Sequence, residues 1–478
     1  MAPYDDLLNC FIESSENKQA SMDYEGLSKQ FNLEIDSIEN KYKSFEKMKG
    51  MGYFTGNKAF NQIKKQEFLN LTYDSPTSQL LLIVTNKCNM RCVYCVYSDM
   101  YPQTIQYEDK QMSFDVAVKA IEQYMKLYQI RERRGLNKNP VINFYGGEPL
   151  LNYELIKKVV DHSSKNFMYE FDYYITTNGL LLEDDIIEFF IKNDFRITIS
   201  LDGDSENHDR NRLTHDGRTT HSKILEKVKR YFTLRENAQS SKSAISFNAC
   251  FDIYTSPTNM LKFFEKDPLL KDKAIFVFYS EIIPYGTEYY NYCKGLYEKG
   301  VIPNSSNTWN KELKQIQSNF LKDLIDNNEI SPYLKSLFTN FYFYGNRRIG
   351  GHGALNNSCI PGSKIAVNAE GDFFLCERVC EKLPIGNINK GLMWEKVETI
   401  LEQFVKVLNE NCLKCNVSKM CQLCFMHLSF ESHDKLEFNG EFCKLTKEYV
   451  PILLSKLYST LEQNDLAFRE EFMYGTDL

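Results

Sequence analysis

An α/β fold built on a parallel sheet follows from three features of the sequence. Short apolar runs recur between residues 80 and 279, stretches of helical period lie between them, and Gly-Gly, Asn-Gly and Asp-Gly pairs sit at the ends of the runs. The predicted strands are Leu80 to Val84, Val141 to Tyr145, Tyr173 to Thr176, Arg196 to Leu201, Ser246 to Ile253 and Ala274 to Tyr279. Between them, Phe114 to Arg131, Tyr153 to Lys165, Glu183 to Lys192 and Ser222 to Glu236 carry apolar residues at helical spacing. In such folds ligands gather at the carboxyl ends of the strands, where the loops carry the chemistry.

The flanks of this repeat are different in kind. Tyr4 to Ser14, Tyr24 to Phe31 and Ile35 to Met48 are predicted helices, stopped by Gly50 and Gly52 before an extended pair, Tyr53-Phe54. Three short helices and an extended pair suggest a winged-helix-like unit over residues 1–75. Nine Lys and no Arg against twelve Asp plus Glu in residues 1–80 argue for a peptide partner over DNA. The repeat itself occupies 76–286. Residues 287–350 form a bridging region, helical around Lys311 to Asn327, and 351–478 carry a second cluster of cysteines. Phe341 to Arg348 is aromatic and basic, and Gly350-Gly351-His352-Gly353 after it permits close backbone approach of a peptide.

The 478 residues leave room for two or three domains, and a formal charge of -7 offers no basic footprint for nucleic acid. No apolar run approaches a membrane span, and the amino terminus lacks a basic stretch ahead of an apolar core. A cytoplasmic location is expected. Fourteen cysteines in such a chain point to metal or redox chemistry rather than to disulfides. Cys10, Cys250 and Cys293 stand alone and read as small buried apolar residues.

Cys88, Cys92 and Cys95 have the spacing CxxxCxxC and follow the first strand. A cubane of four irons is usually held by four thiolates, so three leave one iron open for a small molecule. Zinc would require a fourth Cys or His nearby, and residues 76–113 contain none beyond the three. Gly146-Gly147-Glu148-Pro149 ends the second strand, Thr176-Thr177-Asn178-Gly179 the third and Ser200-Leu201-Asp202-Gly203 the fourth, with His208-Asp209 and Arg212 beyond. The glycines allow close approach to a ligand, and the hydroxyls and the cation could hold a ribose and a carboxylate.

With Tyr94 before its last cysteine, the CxxxCxxC motif resembles that of the radical S-adenosylmethionine (radical SAM) superfamily. That resemblance implies a partial (β/α)6 barrel, with SAM chelated by the open iron and cleaved to a 5'-deoxyadenosyl radical. Gly146, Gly147, Glu148 and Pro149 match the GGEP motif that meets the SAM amino group. Tyr94, Thr177, Asn178 and Asp202 fall on family SAM-site positions, with Ser200 and Arg212 as the carboxylate contacts. His208 is either a part of this site or a structural histidine.

The C-terminal cysteines run Cys359-x11-Gly371-x4-Cys376, Cys380, Cys412-x2-Cys415-x5-Cys421-x2-Cys424 and Cys443. Five residues between CxxC pairs are too few for two zinc knuckles. The run resembles the SPASM domain of radical SAM peptide maturases, with one departure, two residues (Gln422-Leu423) where the pattern has three. The resemblance implies two auxiliary clusters, three 4Fe-4S clusters in all. Cys412, Cys415, Cys421 and Cys443 would hold the distal one, and Cys359, Cys376 and Cys424 the proximal one. Cys380 is the preferred fourth proximal ligand; the alternative is an open iron for a substrate thiolate. Glu377 stands where sulfatase-maturing relatives carry a catalytic carboxylate, and is the candidate general base.

Many peptide maturases also carry a leader-binding winged helix before the barrel, which clamps the leader as an added strand. The function expected is therefore thioether formation from a Cys sulfur to a carbon in a ribosomally made precursor peptide. Its electron donor would be a flavodoxin or ferredoxin. The alternatives are a carbon-carbon cross-link, a sulfatase-type maturase that makes formylglycine, and an electron-transfer iron-sulfur protein without radical chemistry.

Overall fold

The computed structural model describes residues 7–468 except 9, 12, 15–21, 51–58, 77, 102–105, 239–240, 272, 274, 283–286, 302–307, 347–352, 356–357, 379–382, 433–434 and 439. Six parallel strands, β1 (Gln79–Thr85), β2 (Val141–Gly146), β3 (Asp172–Thr177), β4 (Arg196–Ser200), β5 (Ala244–Phe251) and β6 (Val277–Glu281), pair in sequence order. The pairings Leu80↔Ile142, Ile142↔Tyr173, Ile175↔Ile197, Ile197↔Ile245 and Asn248↔Phe278 fix the register. The expected helices form between them as Phe114–Arg133, Tyr153–Asn166, Asp184–Lys192 and His221–Asn237. The first is started by Ser113, whose hydroxyl accepts from the Val116 N–H at 3.3 Å.

Burial explains the patterns that were read. β1 is apolar from Leu80 to Val84 because both faces are covered: Leu80, Leu82 and Val84 pack in the main core, whereas Leu81 and Ile83 meet Ala366 and Phe374. In β2, β3 and β4 buried and half-buried residues alternate, so the half-buried set faces the interior of the open barrel. Two strands sit a few residues from their expected limits. β5 ends at Phe251 because the Asp252 carboxylate accepts from the N–H groups of Tyr254 and Thr255, forming a turn. β6 begins at Val277, since Asp267 organises turns through Leu269, Leu270 and Lys271 first.

The sheet does not stop at β1. β7 (Lys364–Val367) adds in parallel along the outer edge of β1, and β8 (Asp372–Phe374), β9 (Gly386–Asn387) and β10 (Gly391–Leu392) continue it antiparallel. Arg131 braces this seam from within the core. Fully buried, it donates to the carbonyls of Thr72 at 2.9 Å and Gly362 at 2.6 Å and to Ser78 Oγ at 2.9 Å. Burial pulls its pKa down to about 10, and these oriented acceptors help to hold its charge. Arg131→Met keeps the aliphatic bulk but strands those acceptors, and is expected to cost about 3 kcal/mol, a loss of one or two buried acceptors. Denaturant unfolding reads this directly; a change below about 0.5 kcal/mol would mean that the acceptors find other donors.

Ahead of the barrel, the helices Tyr24–Phe31 and Ile35–Gly50 pack Leu27, Ile38 and Phe45 against Leu7 and Phe11, in a core separate from that of the barrel. The pair Tyr53-Phe54 lies outside the described residues. A helix that was not anticipated, Lys65–Tyr73, inserts Phe68 into the barrel core. The bridging region is helical at Tyr289–Glu298, Thr308–Ile325, Pro332–Leu337 and Thr339–Asn346; Gly350, Gly351 and His352 lie outside the described residues. Trp309 anchors this region by stacking on Phe251 with ring centroids 3.7 Å apart. The C-terminal region also carries helices Trp394–Asn411 and Gly440–Leu461 and a hairpin of β11 (Leu428–Ser432) and β12 (Lys435–Phe438). Among the described residues no helix is long and apolar enough to cross a membrane.

Candidate active site

The carboxyl ends of the six strands open into a cavity of about 550 Å³. Thr176, Ser200, Asn248 and Ser280, on β3 to β6, line it with polar groups, as strand alternation requires. Cys88, Cys92 and Cys95 line it as well, on the loop after β1. That loop is fixed by backbone bonds, from Arg91 N to Leu213 O at 2.8 Å and from Val93 N to Asn211 O at 2.9 Å. Arg91 itself donates to the Cys88 carbonyl at 2.8 Å and lies 4.2 Å from the Tyr107 ring centroid.

Burial pushes the thiols of Cys88 and Cys92 up to about 12, and repulsion from neighbouring thiols adds to this. Three thiolates can share this wall only if cationic charge joins them. The donor set therefore fits a cationic iron-sulfur cluster.

Gly146 and Gly147 line the cavity, but what demands glycine there is the cysteine loop. A Cβ on Gly146 would meet the Thr85 oxygen at 2.3 Å and one on Gly147 the Lys87 oxygen at 2.2 Å. The backbone N–H groups of Gly147 and Glu148 donate to those same two carbonyls at 2.8 Å each. Glu148 and Pro149, expected at the SAM site with the two glycines, are not among the residues that line the cavity. The Glu148 carboxylate is fully buried and accepts from Thr177 Oγ1 at 2.7 Å, Asn178 N at 2.8 Å and Leu150 N at 3.1 Å. Burial raises its pKa although these donors oppose the rise. It ties the ends of β2 and β3 together, and leaves Thr177 and Asn178 on the wall. Asn178 Nδ2 in turn donates to Asn89 Oδ1 at 2.7 Å, in the cysteine loop.

Tyr94, Asp202 and Arg212 form one buried chain. Tyr94 donates to Asp202 Oδ2 at 2.5 Å and accepts from Arg212 Nη1 at 2.9 Å, while Asp202 Oδ1 accepts from Cys250 N at 3.0 Å. Asp202 thus has partners inside the protein and does not line the cavity. Tyr94 and Arg212 do line it. Burial works against the Arg212 charge, but Cys92, Tyr94 and Asp202 outweigh it. Among the described residues Arg212 Nε is buried without a hydrogen-bond partner, beside a cavity. An anion such as a carboxylate fits that vacant donor.

His208 is structural. It is fully buried, and its Nδ1 accepts from Asp202 N at 3.2 Å, which leaves Nε2 to donate to Thr220 Oγ1 at 3.0 Å. Burial, Arg212 and His221 hold its pKa well below the usual histidine value.

The wall facing the strand ends comes from the C-terminal region: Glu377, Arg378, Met426, His427 and Leu428. Glu377 pairs with Lys364 Nζ at 2.5 Å. Burial alone would raise its pKa, yet Lys364 and Arg378 bring it below the ordinary carboxylate range. Cys412, Cys415, Cys421 and Cys443 lie within electrostatic reach of one another, as do Cys359 and Cys424. Cys376 follows β8, half-buried; Cys380 lies outside the described residues. Among the described residues no three Cys, His, Asp or Glu side chains close around a position for a single ion.

Several wall residues were missed in the sequence, two of them bearing a thiol or a carboxyl. Cys250 lines the cavity, with its thiol pushed up to about 12 by burial and Asp202, whereas Cys10 and Cys293 are the packed apolar residues expected. Glu281, at the end of β6, is the other. Their signal was strand alternation, since Asn248 and Cys250 are two apart on β5 and share a face.

Residues 82–236 match the Radical SAM superfamily. The chain is 30% identical over 227 residues to the radical SAM cyclopropyl synthase TigE of Paramaledivibacter caminithermalis, covering 46% of this chain and 44% of that protein. It thus spans less than half the length of that relative. It is 25% identical over 397 residues to a cysteine-type anaerobic sulfatase-maturating enzyme of Clostridium perfringens, covering 80% of this chain and 97% of that one. Among solved structures, native anSMEcpe with bound AdoMet and Cp18Cys peptide superposes with a TM-score of 0.53 at 20% identity, over 80% of this chain and 99% of that one. The fold is the α/β radical SAM fold with its parallel central sheet, and the family implies a 4Fe-4S cluster and SAM.

Proposed function

With residues 82–236 matching the Radical SAM superfamily, we propose that the protein abstracts hydrogen from a ribosomally made precursor peptide and joins a substrate cysteine sulfur to a carbon as a thioether. One observation carries this reading: a single cavity of about 550 Å³ has Cys88, Cys92 and Cys95 on one side and Glu377, beside Cys376, on the other. Cys88, Cys92 and Cys95 would hold a 4Fe-4S cluster that with SAM would supply the hydrogen-abstracting power, and the C-terminal cysteines would hold two further clusters able to accept the second electron. The peptide loses two hydrogens, one as the abstracted atom and one as the thiol proton.

Arg212 is the group that would hold the SAM carboxylate, kept in place by Tyr94. Glu377, ionised by Lys364, would accept the thiol proton. Residues 1–75 would bind the leader, and a flavodoxin or ferredoxin would deliver electrons.

Formylglycine formation is the second reading, favoured by the coverage of 97% of the sulfatase-maturating relative. Anaerobic reconstitution with dithionite and SAM should release 5'-deoxyadenosine; its absence from protein with intact clusters would end the radical reading. With a cysteine-containing precursor, a thioether loses two hydrogens, keeps its sulfur and resists thiol alkylation. Formylglycine loses the sulfur. Glu377→Gln should lower product at least about tenfold, the scale of general-base catalysis, with 5'-deoxyadenosine still formed. Undiminished product would remove Glu377 from the reaction.

A further inference from the structure

Glu281 is a carboxylate on the cavity wall that the proposed chemistry does not use. It ends β6, the last of the parallel strands, and its side chain is open to the cavity. Among the described residues it has no hydrogen bond or ion pair. The other cavity carboxylate, Glu377, is neutralised by Lys364, and the buried Arg212 is engaged with Tyr94. The groups that sense Glu281 are two phenols, Tyr290 and Tyr449, whose pKa values it helps to raise. Enough protein surrounds it for desolvation to raise its own pKa as well.

A cavity carboxylate at a strand end, with no cation paired to it and phenol rings nearby, is matched by a positively charged side chain. A cation would pair with the charge and could also lie against the Tyr faces, whereas a neutral amide offers less on both counts. We propose that Glu281 is a specificity-determining residue that holds a Lys or Arg side chain of the peptide undergoing modification. This rests on the reading that the substrate is a peptide. It adds a requirement on that peptide: a cationic residue close enough to the modified position to reach the end of β6.

The test uses the full chain, reconstituted with iron and sulfide and loaded with SAM. The probes are acetylated, amidated hexapeptides with one central Cys and a single Lys scanned over the other positions, each matched by a norleucine peptide of the same length. Calorimetry should find at least one Lys peptide bound about tenfold or more tightly than its norleucine partner, the worth of one charge-assisted contact. In Glu281→Gln that preference should fall below about twofold, and Glu281→Asp, which keeps the charge on a shorter stem, should retain part of it. No Lys preference at any position, or a preference that survives in Glu281→Gln of wild-type iron content, would overturn the proposal. Release of 5'-deoxyadenosine by the wild-type protein tests the radical reading separately, because the binding preference is measured without turnover.

Discussion

Alanine at Cys88, Cys92 and Cys95 together is expected to abolish SAM cleavage while leaving the C-terminal cysteines loaded with iron. The three thiols sit on a loop whose shape is set by backbone bonds to residues 211 and 213 and to Gly147 and Glu148, none of which involves sulfur. Their removal takes away ligands without removing the scaffold. Cys412, Cys415, Cys421 and Cys443 have their own surroundings, close to one another and to Lys447. If the protein carries three cubanes, iron should drop from about twelve to about eight per chain, and 5'-deoxyadenosine should become undetectable. Iron and sulfide analysis with product chromatography reads both. A variant that also loses the C-terminal iron would show that the sites assemble as one unit.

Gly147→Ala should be almost as damaging although no ligand is touched. The added Cβ would lie 2.2 Å from the Lys87 oxygen and 2.6 Å from its carbon, both backbone atoms that cannot rotate away. One strand end must move, and the residue that moves is the neighbour of Cys88. A displacement of about 1 Å at a reacting site commonly costs about 10²-fold in rate, so SAM cleavage should fall by that order while the fold persists. Gly295→Ala is the matched control. It sits in the helix Tyr289–Glu298 with nothing within 4 Å of the added carbon, and should be neutral or slightly stabilising. Wild-type turnover by Gly147→Ala would mean that the loop yields freely and that neither it nor the ligand requires glycine there.

The six parallel strands and four of the helices between them were legible because each strand is covered by helices on one face and each long helix needs a continuous apolar stripe, whereas the helices Ser205–Asn211 and Pro257–Lys266 were not read. The cysteine loop was legible because thiols at short spacing have few uses. What stayed hidden depends on contacts distant in the chain. Nothing in Lys364–Val367 announces that its partner is β1, since four residues carry too little pattern to distinguish a strand from a turn. Glu148 looked like a ligand because its motif supplies an acceptor at a strand end; only the donors from Thr177 and Asn178 reveal that the acceptor is already taken. The bond that Asp202 accepts from Tyr94 is equally invisible in the sequence. Cys250 and Glu281 lacked a neighbouring motif, and strand position alone brings them to the cavity.

The parallel seam between β1 and β7 has a consequence for how the chain is made. β1 leaves the ribosome early, but the strand that covers its outer edge follows roughly 280 residues later, a delay of about 15 to 60 s at ordinary synthesis rates. Throughout that interval a strand that is apolar from Leu80 to Val84 presents a bare row of amide groups, the form of edge most prone to pairing with another chain. A message cut short before residue 364 would make that exposure permanent. Nascent chains of this protein should therefore depend on holding factors during synthesis, and slow translation between residues 281 and 364 should lower the yield of soluble product more than slow translation after 367 does.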